Sequence, residues 1–171
     1  TDVLHGVHGR TLAWATGIKL HKPEIPIVIF AGDGDAASIG ANHLIQAARR
    51  NLDVTVILVN NFNFAMTGGQ VAPTTPINAT TTTTPYGSSE PPFDTCALAV
   101  AAGATYVSRW NTSHGPQAIK AIKTALSHPG FSLVEIVSQC PTHFGRYVLK
   151  SSNPADLVKW IEDNSVMLRE A

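Results

Sequence analysis

Two uninterrupted runs rich in β-branched and apolar residues, Ile27-Val28-Ile29-Phe30-Ala31 and Val54-Thr55-Val56-Ile57-Leu58-Val59, flank a segment with helical spacing. A strand with one wet face alternates apolar and polar residues, whereas continuous runs like these read as strands covered on both faces of a parallel sheet. Between them, from about Ala36 to Arg50, apolar residues recur at Ile39, Leu44, Ala47 and Ala48, and Arg49-Arg50 suit the negative end of a helix. A strand, a crossover helix and a second strand close right-handed, so both strands run parallel and end on one edge of the sheet. Open α/β sheets bind ligands at that edge.

The rest of the chain adds units of the same kind. Thr11 to Lys19 predicts a helix packed through Ala13, Ala15 and Gly17, closed off by Pro23 and Pro26. Asp94 to Ala102 predicts a helix stopped by Gly103, followed by a strand from Ala104 to Ser108. Pro116, acting as a first-turn proline, opens a helix that runs to about His128 with Ile119, Ile122 and Leu126 on one face. Phe131 to Ser138 reads as another buried strand, and Asn153-Pro154 caps a last helix with Leu157, Trp160 and Ile161 on its inner side. The sum is an α/β fold, a mostly parallel sheet with helices on both faces. Asn60 to Pro92 breaks the pattern with a loop rich in Gly, Pro and Thr, and loops of that length inside a domain are usually functional or disordered. Its run Thr80 to Thr84 reads as a polar surface stretch.

With 171 residues and 44% apolar content, one core and one domain are expected over 1–171. Twelve Lys+Arg balance twelve Asp+Glu, so no basic face invites nucleic acid or an anionic membrane. No window reaches the ~20 continuous apolar residues that span a bilayer. The start Thr1-Asp2-Val3 is neither a signal peptide nor an initiator methionine, so the reading is a cytoplasmic protein that begins mid-sequence. Cys96 and Cys140 are too few for a disulfide framework and need separate explanations. Cys96 lies in an apolar helix pattern and reads as a small buried hydrophobe.

Gly32-Asp33-Gly34-Asp35-Ala36-Ala37 sits where the first strand turns into the helix, and it matches the dinucleotide pattern GxGxxA. That match is weak, because the next strand ends in Asn60-Asn61 rather than in the acidic residue that would hold a ribose. Asp33 inside the turn would repel a diphosphate unless a divalent cation stood between them. Magnesium takes about six oxygens and is held by a carboxylate, amide or backbone carbonyls, water and phosphates. Asp33 and Asn61, 28 residues apart, are returned side by side by the crossover. The helix start near Ala36 turns its free amides toward the same place, and Gly34 leaves room for a phosphate to approach the backbone. Taken singly, GDG is an ordinary tight turn and Asn60-Asn61 an ordinary loop start; the spacing joins them.

The string GDGDAASIGANHLIQAARRN followed by NNFNFAMTGGQVAPTTP resembles the β subunits of 2-oxoacid:ferredoxin oxidoreductases, particularly the 2-oxoglutarate type. The likeness continues in HGVHGRTLAWATGIKL, TTPYG, PPFD, GATYVSR and CPTHFGR, which together cover almost the whole chain. The resemblance implies a thiamine-diphosphate-binding fold. It makes Asp33, the Asn61 side chain and the Asn63 main-chain carbonyl magnesium ligands. Gly34 and Asp35 would contact the diphosphate, Ala65 and Met66 would close over the cofactor, and His8 and Arg10 would belong to an upstream cofactor-contacting stretch. A guanidinium also suits phosphate on its own account, although a surface arginine is the commoner state. His5 and His43 read as ordinary polar residues.

Cys140-Pro141 resembles the family segment that donates the last thiolate to a 4Fe-4S cluster, which takes about four. The other three would come from an N-terminal, cysteine-containing region of the full subunit that is not in these 171 residues. The implied reaction is oxidative decarboxylation of a 2-oxoacid to acyl-CoA, with electrons passed to ferredoxin. The implied partner is an α subunit, in one or two αβ pairs, which would supply the glutamate that activates the cofactor. No catalytic acid or base is assigned in this chain. Two rival readings stay open: a non-oxidative thiamine-diphosphate-dependent decarboxylase subunit, against which CPTHFGR argues, and an inactive remnant serving as an interaction module.

Overall fold

The computed structural model describes residues 2–168. Its main sheet has four strands: β1 (Val28–Gly32), β2 (Thr55–Asn60), β5 (Tyr106–Asn111) and β6 (Ser132–Val137). They lie in the order β1-β2-β6-β5, and every neighbouring pair is parallel. Five α-helices accompany them: α1 (Thr11–His21), α2 (Ala41–Arg49), α3 (Thr95–Ala102), α4 (Gly115–Ser127) and α5 (Pro154–Asp163). A short antiparallel hairpin, β3 (Asn63–Phe64) with β4 (Gln70–Val71), lies in the long loop after β2.

The sheet is covered on both faces along β2 and β6, but edge strand β1, expected from its apolar run to be buried on both faces, leaves Val28 and Phe30 exposed on one of them. Leu12 and Ala15 of α1, Leu44, Ala47 and Ala48 of α2 and Ala99 of α3 pack on Ile29, Val56, Leu58 and Leu133. Ala121 and Ala125 of α4 pack on Val134 on the opposite face. The chain crosses from β2 to the far edge strand β5 on the α3 side, then returns through α4 to insert β6 in the middle. Each strand therefore ends on one edge, and the register Gly32↔Val59 puts the turn after β1 beside the turn after β2.

Three details differ from the sequence expectation. Helix α1 buries Leu12, Ala15 and Lys19, while Gly17 faces open space; residues spaced three and four apart make the inner stripe. Buried Lys19 is satisfied by Pro23 O and Asp53 Oδ2, each at 2.9 Å. On α4 the inner stripe is Ala118, Ala121 and Ala125, whereas Ile119 and Leu126 are 56% and 52% exposed. The helix sits so close to the sheet that Thr55 Oγ1 donates to Ala125 O at 3.1 Å and Tyr106 Oη to Ala121 O at 3.3 Å, which leaves no room for a branched side chain.

The helix after β1 is the third difference. Regular α-helix begins at Ala41, preceded by a wide turn over Asp35–Ile39 in which the Gly40 amide reaches Asp35 O at 2.9 Å. A Cβ on residue 40 would stand 2.5 Å from that same carbonyl oxygen, so the widened turn requires glycine there. Such one-turn widenings recur at functional sites. A second wide turn, Pro141–Leu149, follows Cys140 and packs Phe144 and Gly145 inward against α5.

Candidate functional site

Asp33 is 1% exposed at the carboxyl end of β1, and among the described residues no cationic side chain pairs with it. Its Oδ2 accepts a very short hydrogen bond from Thr74 Oγ1. Burial pushes its pKa up to about 6, against the opposing pull of Thr74 and of the Gly34 and Asn61 backbone amides. The contact with the Asn61 amide places the turns after β1 and β2 against each other. In the second turn, Asn61 Oδ1 is buried without a hydrogen-bond partner among the described residues. Asn63 is 3% exposed, and its Nδ2 donates to Asn61 O at 2.7 Å.

A desolvated carboxylate and an orphaned amide oxygen on the turns after two neighbouring strands are the donor types a hard divalent cation takes. The residues present fit such an ion. Among the described residues no three His, Cys, Asp or Glu side chains gather as a metal cluster.

The remaining candidates fall into two groups. Asp35 Oδ1 accepts from the Gly9 amide at 2.6 Å and meets His8 Nδ1 at 2.5 Å, so the HGVHGR segment is tied to the turn after β1. Gly34 is buried, and the space a Cβ would need is filled by the Phe64 ring, 2.5 Å away; that ring stands where room for a phosphate was expected. His8 lies tilted against the same ring, with centroids 5.9 Å apart. Arg10 points elsewhere, its exposed guanidinium donating to Ile39 O at 3.1 Å beside His43 Nε2 at 3.3 Å. Ala65 and Met66 form the tip between β3 and β4, and Met66 is fully exposed.

Cys140 is buried, and its thiol donates to Asn63 Oδ1 at 3.8 Å, which brings CPTHFGR next to the turn after β2. Cys96 is only partly buried and donates to Glu135 Oε2 at 3.2 Å, so it is more than the small hydrophobe expected. Burial, then the neighbouring Glu135 charge, raises its pKa well above the usual thiol range.

Sequence reasoning missed Thr74 and Thr75. Both are almost completely buried: Thr74 holds Asp33, and Thr75 Oγ1 donates to Phe62 O at 2.6 Å. One dipeptide thus clamps both turns. The available signal was their position between Pro73 and Pro76, where prolines fix the backbone of a loop that otherwise has no periodicity. The threonine run is less superficial than expected, since Thr81 is 4% exposed and the Thr82 amide donates to Gly69 O at 3.1 Å.

A parallel sheet carrying a buried aspartate after one strand and an amide-rich turn after its neighbour defines an α/β domain that takes a ligand at its carboxyl edge. Residues 1–136 match the C-terminal TPP binding domain of thiamine pyrophosphate enzymes, and the chain belongs to that family. It is 52% identical to the 2-oxoglutarate synthase subunit KorB of Methanocaldococcus jannaschii, over 99% of this chain and 63% of that protein. Against the subunit of the same name from Archaeoglobus fulgidus the identity is 54%, over 95% of this chain and 59% of the relative. The chain thus spans about 60% of the length of the curated relatives it matches. Among solved structures, 2-oxoglutarate:ferredoxin oxidoreductase from Magnetococcus marinus, with 2-oxoglutarate, coenzyme A and succinyl-CoA bound, superposes with a TM-score of 0.77 at 40% identity. That superposition covers 79% of this chain and 46% of the other.

Proposed function

We propose that the chain is the thiamine-diphosphate- and magnesium-binding part of the β subunit of a 2-oxoacid:ferredoxin oxidoreductase acting on 2-oxoglutarate. The observation that carries the reading is a buried Asp33 and a partnerless Asn61 Oδ1 on the turns after neighbouring strands, at the carboxyl edge of a thiamine-pyrophosphate domain. In this reading Asp33, Asn61 Oδ1 and the Asn63 carbonyl hold Mg2+, and the ion offsets the charge of Asp33 against the diphosphate. The bound cofactor supplies the carbanion that adds to the 2-oxo carbon and the ring that takes the electrons as carbon dioxide leaves. This chain's part is to grip: Thr74 fixes Asp33, Thr75 fixes the turn after β2, and Asp35, His8, Ala65 and Met66 border the cofactor.

Cys140 supplies one thiolate to a 4Fe-4S cluster whose other ligands lie in a further region of the subunit, and its contact with Asn63 supports a cluster beside the cofactor. The electrons pass to ferredoxin, coenzyme A takes the acyl group, and an α subunit completes the active site, all in the cytoplasm. Support for the substrate class comes from the two archaeal relatives and from the Magnetococcus enzyme.

The test uses the full-length subunit with its co-expressed partner. Thiamine diphosphate and Mg2+ together should raise the melting temperature by mass action, and Asp33→Ala should remove the gain. Ferredoxin reduction should require coenzyme A and run faster on 2-oxoglutarate than on pyruvate or branched-chain 2-oxoacids. A cofactor-independent melt, or electron transfer that ignores coenzyme A, overturns the reading.

A further inference from the structure

Glu135 lies in the middle of β6, the inserted central strand, and is 1% exposed. A buried carboxylate on a central strand is no gain in stability by itself, since an apolar residue of similar volume commonly serves the fold as well. Its bonds show a different use. Oε2 gathers Thr95 Oγ1 at 2.7 Å, Arg109 Nε at 2.7 Å and the Cys96 thiol at 3.2 Å. Arg109 in turn reaches Asp94 Oδ1 at 2.6 Å, so the carboxylate is anchored from both α3 and β5. Oε1 is left for one partner, Asn60 Nδ2, at 2.7 Å.

Asn60 is the last residue of β2 and is 5% exposed. With its amide nitrogen held by Glu135, its Oδ1 is turned to accept the Phe62 amide at 3.1 Å. That bond spans Asn61 and bends the chain so sharply that Phe62 adopts φ 64°, a conformation bulky residues seldom take without being held. Thr75 Oγ1 holds the other side of the same residue through Phe62 O. Asn61, with its orphaned Oδ1, is the residue inside this bend, and Asn63 follows directly after it.

We propose that Glu135 is a positioning residue for the metal site: through Asn60 it fixes the turn that aims Asn61 and Asn63 at the cation. The inference rests on the magnesium reading given above. Outer-shell partners of metal ligands typically change metal affinity by about 10- to 100-fold when lost, and Glu135 acts one step further out, through Asn60.

The experiment measures the Mg2+ concentration that half-saturates thiamine diphosphate binding, by calorimetry on the full-length subunit in its complex, alongside the melting temperature. Glu135→Gln keeps an oxygen for Arg109 and Thr95 but turns an NH2 toward Asn60 Nδ2, donor against donor. The half-saturating Mg2+ should rise about ten-fold or more. Adding Asn60→Asp reverses the polarity of that single bond, because the new carboxylate accepts from the side-chain amide introduced at position 135 and still accepts from the Phe62 backbone amide. The double variant should return to within about three-fold of wild type, a rescue that a purely structural role has no reason to show. If Glu135→Gln does not fold, Asn60→Ala cuts the same link from the loop side and should give the same shift. An unchanged Mg2+ requirement in a folded single variant, or a double variant no better than the single, overturns the proposal. A wild-type complex whose cofactor binding ignores Mg2+ removes the metal reading itself, and this inference with it.

Discussion

Asp33 shows how a single residue can carry both a cost and a use. In the unfolded chain it titrates near 3.8, and in the fold near 6 because burial disfavours its charge. Between those values the native state keeps a proton that the unfolded state has lost. Metal-free stability from this group is therefore fully present below about pH 4 and is lost as the pH rises through about 6. Urea melts of wild type and Asp33→Asn across about pH 4.5 to 7.5 should show the variant gaining on wild type by on the order of 1–3 kcal/mol as the pH rises. A flat difference would mean the carboxylate is better compensated than its surroundings suggest. Mg2+ with thiamine diphosphate should narrow the gap on the alkaline side, where the cation no longer competes with a proton. Asp33 and Asn61 were legible in the sequence because a carboxylate in a phosphate-type turn is chemically awkward, and awkwardness at a fixed spacing is readable. Thr74 was not, since its meaning depends on a loop folding back across 41 residues onto Asp33.

Among the elements, strands were easier to read than helix faces. Continuous apolar runs located β1, β2 and β6 to within about a residue or two, because burial on both faces leaves β2 and β6 little freedom of composition, although β1 is buried on one face alone. Helix α4 misled because large apolar residues were weighted over alanine. Ala118, Ala121 and Ala125 have the same helical spacing as Ile119, Ile122 and Leu126, and only the short distance to the sheet selects the small set. This correction can be checked by denaturant unfolding. Ala125→Leu, at a fully buried position whose carbonyl is held by Thr55, should cost about 1–3 kcal/mol by overpacking. Ile119→Ala should stay within about 0.5 kcal/mol, as surface changes do. The reverse ranking would restore the isoleucine face as the inner one. The wide turn before α2 was equally hidden, because Gly40 in GDGDAASIG reads as one more glycine until the Asp35 carbonyl is seen beside it.

At the scale of the whole molecule, the two sides of the sheet are unequally finished. The face bearing α1, α2 and α3 is closed over Ile29 and Leu58, while α4 covers the other face only over β6 and its neighbours. Val28 and Phe30 of edge strand β1 remain 40% and 71% exposed on the uncovered side, and Val59 of the adjacent strand is 36% exposed. Their register, Val28↔Thr55 and Phe30↔Ile57, puts this apolar area next to the outer edge of β1, where no further strand pairs among the described residues. With twelve positive and twelve negative side chains, no net charge keeps copies apart near neutral pH. An exposed apolar edge on a neutral molecule is the combination that favours edge-to-edge association. The 171-residue chain on its own should therefore self-associate with rising concentration in sedimentation velocity near neutral pH. Phe30→Lys should shift it toward the monomer without loss of secondary structure, because that side chain points away from the core that Ile29 and Ala31 line. A wild-type chain that stays monomeric at high concentration would show that the uncovered face is better shielded than its exposures imply.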